Sequence, residues 1–391
     1  MIALTIVVSL VYVKVSNSDL LRQGQRIIGG SLDGIEVTPV VPVGSGVINP
    51  ELKALPKGTW FKIHQHSGRA GEDFERQAHG GAAFDPVRGR LMLFGSDTHR
   101  RNWDNTIRFF DMGSLRWSSA YPPDSFDTYR VNTQGIPVAG IAGDRPWAMH
   151  TFGAVEFDPI ADRLIVASHP DHMNPNKKWG VDRSLWGQIK SHPTWIYHVG
   201  EGRWEPMPLQ GRSFFAHATA FDLKRRAVIG ARPNGYWELA AEAPAWKHLA
   251  KGTPNNWHIS LAYDSGQDTV VLFGTNKKSD AVWQYRRGAK AGMRMQTPGN
   301  RPAGDQSVPL VYHPGIQRVT ALVERNEGGA PAVTETWLYA TADDTWKRLE
   351  TASLPFAIGM NYDMVYDPNH ELLVLVANLK GDPLAVWVLR L

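Results

Sequence analysis

The chain has 391 residues, 42% of them hydrophobic, with 42 Lys+Arg against 38 Asp+Glu. That apolar content can fill one large domain or two ordinary ones, and with 15 Trp, 14 Phe and 11 Tyr it excludes a disordered chain. The absence of cysteine excludes disulfides, thiolate metal sites, a cysteine nucleophile and thioether-linked cofactors, and a formal charge of +4 without a clustered basic run argues against a nucleic-acid partner.

At the amino terminus, Ile2 to Val13 is an apolar run broken only by Thr5 and Ser9 and followed by Lys14. A membrane span needs about 20 apolar residues, so no stable span is expected here. The length suits a signal-peptide core, which makes 1–17 a signal-like segment and predicts a secreted or periplasmic protein, with membrane anchoring through this segment as a variant. No basic residue precedes the run, and a buried strand is the competing reading. Residues 18–57, with Gly29-Gly30 and Pro39, Pro42, Pro50 and Pro56, read as a linker or an extended arm. Gly29-Gly30 lacks the strand-to-helix context of a nucleotide-binding loop.

From residue 79 one pattern recurs: a short apolar strand, an aromatic-Asp turn, then a second apolar strand. The step appears at Phe84-Asp85, Phe157-Asp158, Phe221-Asp222, Tyr263-Asp264, Tyr312-His313 and Tyr366-Asp367, at a mean spacing of about 56 residues. A third strand carries Phe109-Phe110, Trp195 to Tyr197, Trp237, Trp283 to Tyr285, Trp337 to Tyr339 and Trp387. A fourth carries Trp117, Trp204, Trp246 and Trp346, with Met293 near that place in the fourth repeat. Several short strands per repeat of this length predict an all-β propeller of four-stranded blades over 58–391. Six blades are expected, with seven if 18–57 hides a degenerate one. The last repeat ends after its third strand, and Gly58 to Ile63 has the composition to supply the fourth and close the ring.

The glycine after strand two, the aromatic third strand and the strand-four Trp resemble kelch repeats, as in the galactose-oxidase central domain. The copper radical chemistry of that enzyme needs a cysteine joined to a tyrosine, which this chain cannot supply.

Turns joining strands one to two and three to four are short, so the longer loops 96–105, 122–149 and 168–192 should gather on the opposite face and carry a site. Fourteen histidines are present, and several fall at the starts of innermost strands or in these loops: His79, His99, His150, His169, His172 and His258. Elimination across a uronic acid needs a cation beside the carboxylate, a base for the C5 proton and an acid for the departing oxygen. His150 and His169 are the candidates for base and carboxylate partner, with Tyr129, Arg130 and Arg145 in support and Tyr197 as a further acid. This layout resembles the propeller-fold ulvan lyases, and that resemblance implies a polysaccharide lyase cleaving by β-elimination. The alternative is a non-catalytic carbohydrate-binding or scaffolding propeller. Under either reading His79, His99, His172, His258, Asp97, Asn102, Asp104 and Asn105 would line the site, and Trp103, Trp147, Trp179 and Trp186 would stack on sugar rings. Two opposed carboxylates of a glycosidase could come from Asp97, Asp104, Asp127 and Asp171, but histidine outnumbers glutamate on this face. No cofactor is required; a divalent zinc or calcium ion on His169, His172 and Asp171, or on Asp97 and His99, is possible. The expected partner is a polysaccharide, and the expected assembly state is a monomer.

Overall fold

The computed structural model describes residues 47–391 apart from 66–78, 100–102, 208–211, 234, 242, 244, 307, 327–331, 361 and 378–383. The signal-like segment, most of the 18–57 arm and Asn102 therefore lie outside the described residues. Among those described, six four-stranded antiparallel sheets follow one another along the chain, with a seventh sheet of three short strands. The architecture is all-β and propeller-like. No helix among the described residues is long and apolar enough to cross a membrane.

Sheet formation follows the repeat signals closely. In the first blade Gly81–Asp85 pairs with Arg90–Phe94, then Arg108–Asp111 and Arg116–Ser119 follow in order. The aromatic residues of strand three and the Trp of strand four face one another across the pair, as in Phe110 opposite Trp117 and Tyr197 opposite Trp204. The sixth sheet takes its fourth strand from upstream: Trp60–Gln65 pairs antiparallel with Ala385–Leu389. Trp60 is anchored there by its indole N–H, which donates to Thr336 Oγ1 at 3.0 Å.

The turn between the first two strands explains why the aromatic-Asp step recurs. Asp85, Asp158, Asp264 and Asp367 are buried, and each accepts hydrogen bonds from two backbone amides of the turn that follows. The carboxylate satisfies donors that a tight turn would otherwise leave unpaired. Four residues after the aromatic-Asp step, the backbone turns left-handed at Gly89, Asp162, Arg226, Asp268, Gln317 and Glu371 in all six blades. One turn geometry is thus repeated six times, with His313 replacing the aspartate once.

Neighbouring sheets share apolar cores. Ala83, Met92, Phe94 and Phe109 of the first blade pack with Phe157, Leu164, Val166 and Trp204 of the second. Leu91, Leu93 and Phe110 on the opposite side of the first blade pack with Val374, Val376, Val386 and Val388 of the sixth. The intervening pairs are joined in the same way, so each described blade buries both faces.

Loop 122–149 is a folded unit. It holds the three-stranded sheet Arg130–Val131, Pro137–Ala139 and Arg145–Pro146, and packs with the Arg183–Trp186 turn of helix around Tyr129, Trp147 and Met173.

Replacing Asp264 by Ala leaves the amides of Gly266 and Gln267 without their acceptor and should cost about 1–3 kcal/mol. The reciprocal change, His313→Asp, should restore that turn chemistry in the fifth blade and gain about 0.5–1.5 kcal/mol. Urea unfolding of both variants checks the sign, and a gain in the first or a large loss in the second contradicts this account of the turn.

Candidate functional site

The residues that precede the innermost strands of the first four blades are His79, Phe152, Ala216 and His258, and all four are left-handed, with φ of 59°, 46°, 58° and 57°. Such a conformation strains a side-chain-bearing residue and needs compensation. Here backbone bonds between blades supply it. The His79 carbonyl accepts from the amides of Thr151 and Phe152, and the Ala216 carbonyl accepts from the His258 amide at 2.7 Å. The same bonds hold these residues, and the side chains they bear, beside one another.

Around them four imidazoles crowd together. The His150 ring lies 4.6 Å from that of His79, 4.7 Å from His99 and 4.5 Å from His172, centroid to centroid, and the rings of His99 and His172 are 3.9 Å apart. His150 is 1% exposed. Its Nε2 accepts from the Thr98 amide at 3.1 Å and lies 3.8 Å from Asp97 Oδ1. Asp97 also accepts from the amide of His99, which fixes the loop between them. His79, Asp97, His99 and His150 could hold a metal ion: one ligand atom from each falls within a 4.8 Å group.

Burial sets the charge of this cluster. It pushes the His172 imidazole down to about 4, reinforced by the neighbouring His150 and His99. Burial lowers His150 as well, partly offset by Asp97. Burial would raise the Asp97 carboxyl, but His150 and His79 outweigh it and hold the group below its usual range. His258, packed on Phe152 at 5.3 Å, is lowered by burial and then by His150. At neutral pH His150, His172 and His258 are therefore uncharged.

Beside the cluster opens a cavity of about 620 Å³ lined by His169, Asp171, Lys190, His192, Ser213, Phe215, Arg232 and Trp257, among others. His169 is held from both sides, with Nδ1 2.5 Å from Ser213 Oγ and Nε2 3.8 Å from Asp171 Oδ1. The His169 hydrogen bond holds the Asp171 carboxyl below its usual range. The His192 ring lies 4.9 Å from that of His169 at a 42° tilt, and burial pushes His192 down to about 4. Trp257 is 50% exposed and stacks on His217 at 5.3 Å and 16°. Arg232 is half-buried in the wall, lowered by desolvation, and among the described residues no carboxylate pairs with it.

Of the residues singled out from the sequence, the structure brings His79, Asp97, His99, His150, His169, His172 and His258 near one another. Several other expected residues belong to the scaffold. Trp147 is fully buried, with its indole N–H donating to the Val138 carbonyl, so it is not an exposed sugar platform. Trp103 and Trp186 pack against the same loop core. Trp179 is partly exposed, with the Lys178 ammonium 5.0 Å from its ring. The Tyr129 hydroxyl donates to the Trp103 carbonyl and accepts from the Ala148 amide. Arg130 binds the carbonyls of Thr128, Gly140 and Ile141. Arg145 pairs with Asp124 at 2.9 Å and covers the Tyr121 ring. Tyr197 is packed between the first two blades. Asp104 is paired with Arg108, and Asn105 bonds Asp124 and the Pro146 carbonyl.

Sequence reasoning missed His192, Ser213, Phe215, Lys190, Trp257 and, above all, Arg232. The signal for Arg232 was present in the repeat, since it ends the second strand of the third blade, Ala227–Arg232. In the first two blades Asp97 and His169 come just after the same strand, Arg90–Phe94 and Arg163–Val166.

Fold and site together define a β-propeller-like protein with a histidine-lined cleft, in whose wall Arg232 has no carboxylate partner among the described residues. No protein-family model matches the chain, and no curated protein matches it.

The buried imidazoles make stability pH-dependent. His172, His192 and His313 are depressed to about 4 and His217 to about 3, chiefly by burial, whereas an unfolded histidine titrates near 6.5. Between those values the unfolded chain binds more protons than the folded one, so stability falls as pH drops from about 6.5 towards 4. Thermal melts from pH 7 to 4 should show that loss, and His217→Gln should make it shallower. A Tm that is flat over this range, or identical slopes in the two proteins, contradicts the assignment.

Proposed function

We propose that the protein is a lyase that cleaves a uronic-acid-containing polysaccharide by β-elimination. The observation that carries this reading is Arg232, a half-buried guanidinium with no carboxylate partner among the described residues, in a cleft that also presents His169, His192 and an exposed Trp257. A desolvated cation without a counter-charge is costly unless a ligand brings the anion. A uronate carboxylate meets that need, with Lys190 on the same cavity wall, and Trp257 offers a face for a sugar ring.

Binding the carboxylate to Arg232 withdraws charge from the sugar and acidifies C5–H, and it stabilises the charge that develops on the carboxyl oxygens. Asp171 favours the His169 tautomer with its proton on Nε2, leaving Nδ1 as the basic nitrogen beside the Ser213 hydroxyl. In this scheme Nδ1 takes the C5 proton, the C4–C5 double bond forms, the C4–O4 bond breaks, and O4 leaves with the proton carried by the imidazolium. Asp171 stabilises that imidazolium. The neutral His192 adds no competing positive charge next to it. His150, whose Nε2 accepts from the Thr98 amide, takes no step in this scheme.

We read the six sheets as blades of a kelch-like propeller, tied shut by Trp60–Gln65, in an exported monomer. The aromatic-Asp turns, the strand-three aromatics and the upstream fourth strand support the kelch-like propeller in that reading.

The test is ultraviolet absorbance of a new unsaturated uronate during incubation with a panel of uronate polymers. Absorbance should rise on at least one polymer, and Arg232→Ala and His169→Ala should each lower kcat/KM by about 100-fold or more. A flat trace on every polymer, with retardation of one in an affinity gel, would replace the lyase with a binding module. Full turnover by Arg232→Ala would remove the proposed carboxylate partner.

A further inference from the structure

We infer that His79, Asp97, His99 and His150 form a zinc-class metal site beside the cleft, a ligand set separate from the residues that the lyase scheme uses. Three imidazoles and one carboxylate are a donor set for a tetrahedral N3O zinc centre. Calcium and magnesium take six or more oxygen ligands and are poorly served by it.

The ligands are contributed by three places in the fold: the residue before the first innermost strand (His79), the loop after Arg90–Phe94 (Asp97 and His99), and the segment before the second innermost strand (His150). Backbone bonds hold two of them in place, because the His79 carbonyl binds the Thr151 and Phe152 amides next to His150. Asp97 and His99 are coupled through the His99 amide at 3.1 Å. His150 Nε2 and Asp97 Oδ1 stand 3.8 Å apart, close to the ligand–ligand separation of about 3.3 Å that zinc–nitrogen bonds of 2.0–2.1 Å imply. The full group spans up to 4.8 Å, so closing it on an ion takes an inward shift of about 1.5 Å or less. His99 is the exposed member and sits in a loop.

A second observation points the same way. His150 is 1% exposed, yet its Nδ1 has no hydrogen-bond partner, and its Nε2 contacts only a backbone amide and the distant carboxylate. The Nδ1 of His172, in the next ring, is buried without a partner too. Polar nitrogens this deep are normally satisfied. A metal ion bound by the His150 ring would bring a partner to a buried imidazole that the described residues leave under-satisfied, where four imidazoles already converge. His172, 3.9 Å from the His99 ring, forms the wall behind that site.

The experiment uses the full chain stripped with chelator and titrated with zinc, calcium as the control. Calorimetry should give one equivalent of zinc and none of calcium, and bound zinc should raise Tm by several degrees. Cobalt in the same protein should give the intense visible absorption of a tetrahedral site. Affinity should drop at least tenfold in His99→Ala and in Asp97→Asn, both at partly or fully exposed positions that leave the buried His150 in place. It should be unchanged in His192→Ala, which removes a cleft imidazole outside the ligand set. No uptake by the stripped protein overturns the site, as does uptake unaffected by both ligand variants, or an equal loss in His192→Ala. Because the readouts are metal content and Tm, failure of the lyase assay leaves this result standing, and the reverse holds equally.

Discussion

Everything in this molecule depends on one requirement: a sheet with two apolar faces must find cover on both. Leu91 and Leu93 of the first blade turn one way, into the valines of the sixth, while Met92 and Phe94 turn the other, into the second. The alternation is that of any strand, but with both sides buried no blade can stand alone, and each must lie between two others. Stacking of that kind makes the innermost strands neighbours. The left-handed residues that lead into those strands then bond to one another across blades, and the chemistry is carried on or beside them.

The same requirement explains what could be read from the sequence. An aspartate that caps a tight turn leaves a mark in any blade, so Phe84-Asp85 and Tyr366-Asp367 signal the repeat despite uneven spacing. Counting back from that step locates His79 and His258, and the loops after strand two supply His99, His169 and His172. Periodicity stops at the loop 122–149. Its aromatic and basic residues look like a binding surface, because an exposed loop is where Tyr129, Arg130, Arg145 and Trp147 would face a ligand. Instead they build a small core of their own, in which Arg130 caps three carbonyls and Trp147 is sealed. Sequence alone does not distinguish a loop that binds from a loop that folds, since both need aromatics and hydrogen-bonding side chains. Arg232 went unseen for the opposite reason. It sits at the end of a regular strand, where an arginine reads as a solvated strand terminus.

Crowding so many imidazoles has an electrostatic consequence that shapes the site. Burial lowers His150 and His172, and the neighbouring imidazoles lower both further, so these two stay neutral at pH 7. A neutral imidazole is a metal ligand or a base; a charged one is neither. The fold thus keeps His150 and His172 in the uncharged form. The cost is stability in acid, where the unfolded chain holds protons that the folded one excludes.

In the cleft, polar groups flank one imidazole on both sides. His169 has Asp171 on one side and Ser213 on the other. On the same cavity wall Arg232 is partly desolvated, and among the described residues no carboxylate pairs with it. Elsewhere in the protein the arginines at blade turns are matched at close range, as Arg88 is by Asp85 and Asp162, and Arg225 by Asp222 and Asp268. Those pairs show how readily this fold supplies a carboxylate when the charge is structural. At Arg232, where none is found among the described residues, the same cavity wall presents His169 and the exposed indole of Trp257, and the proposed binding of an acidic sugar rests on that combination.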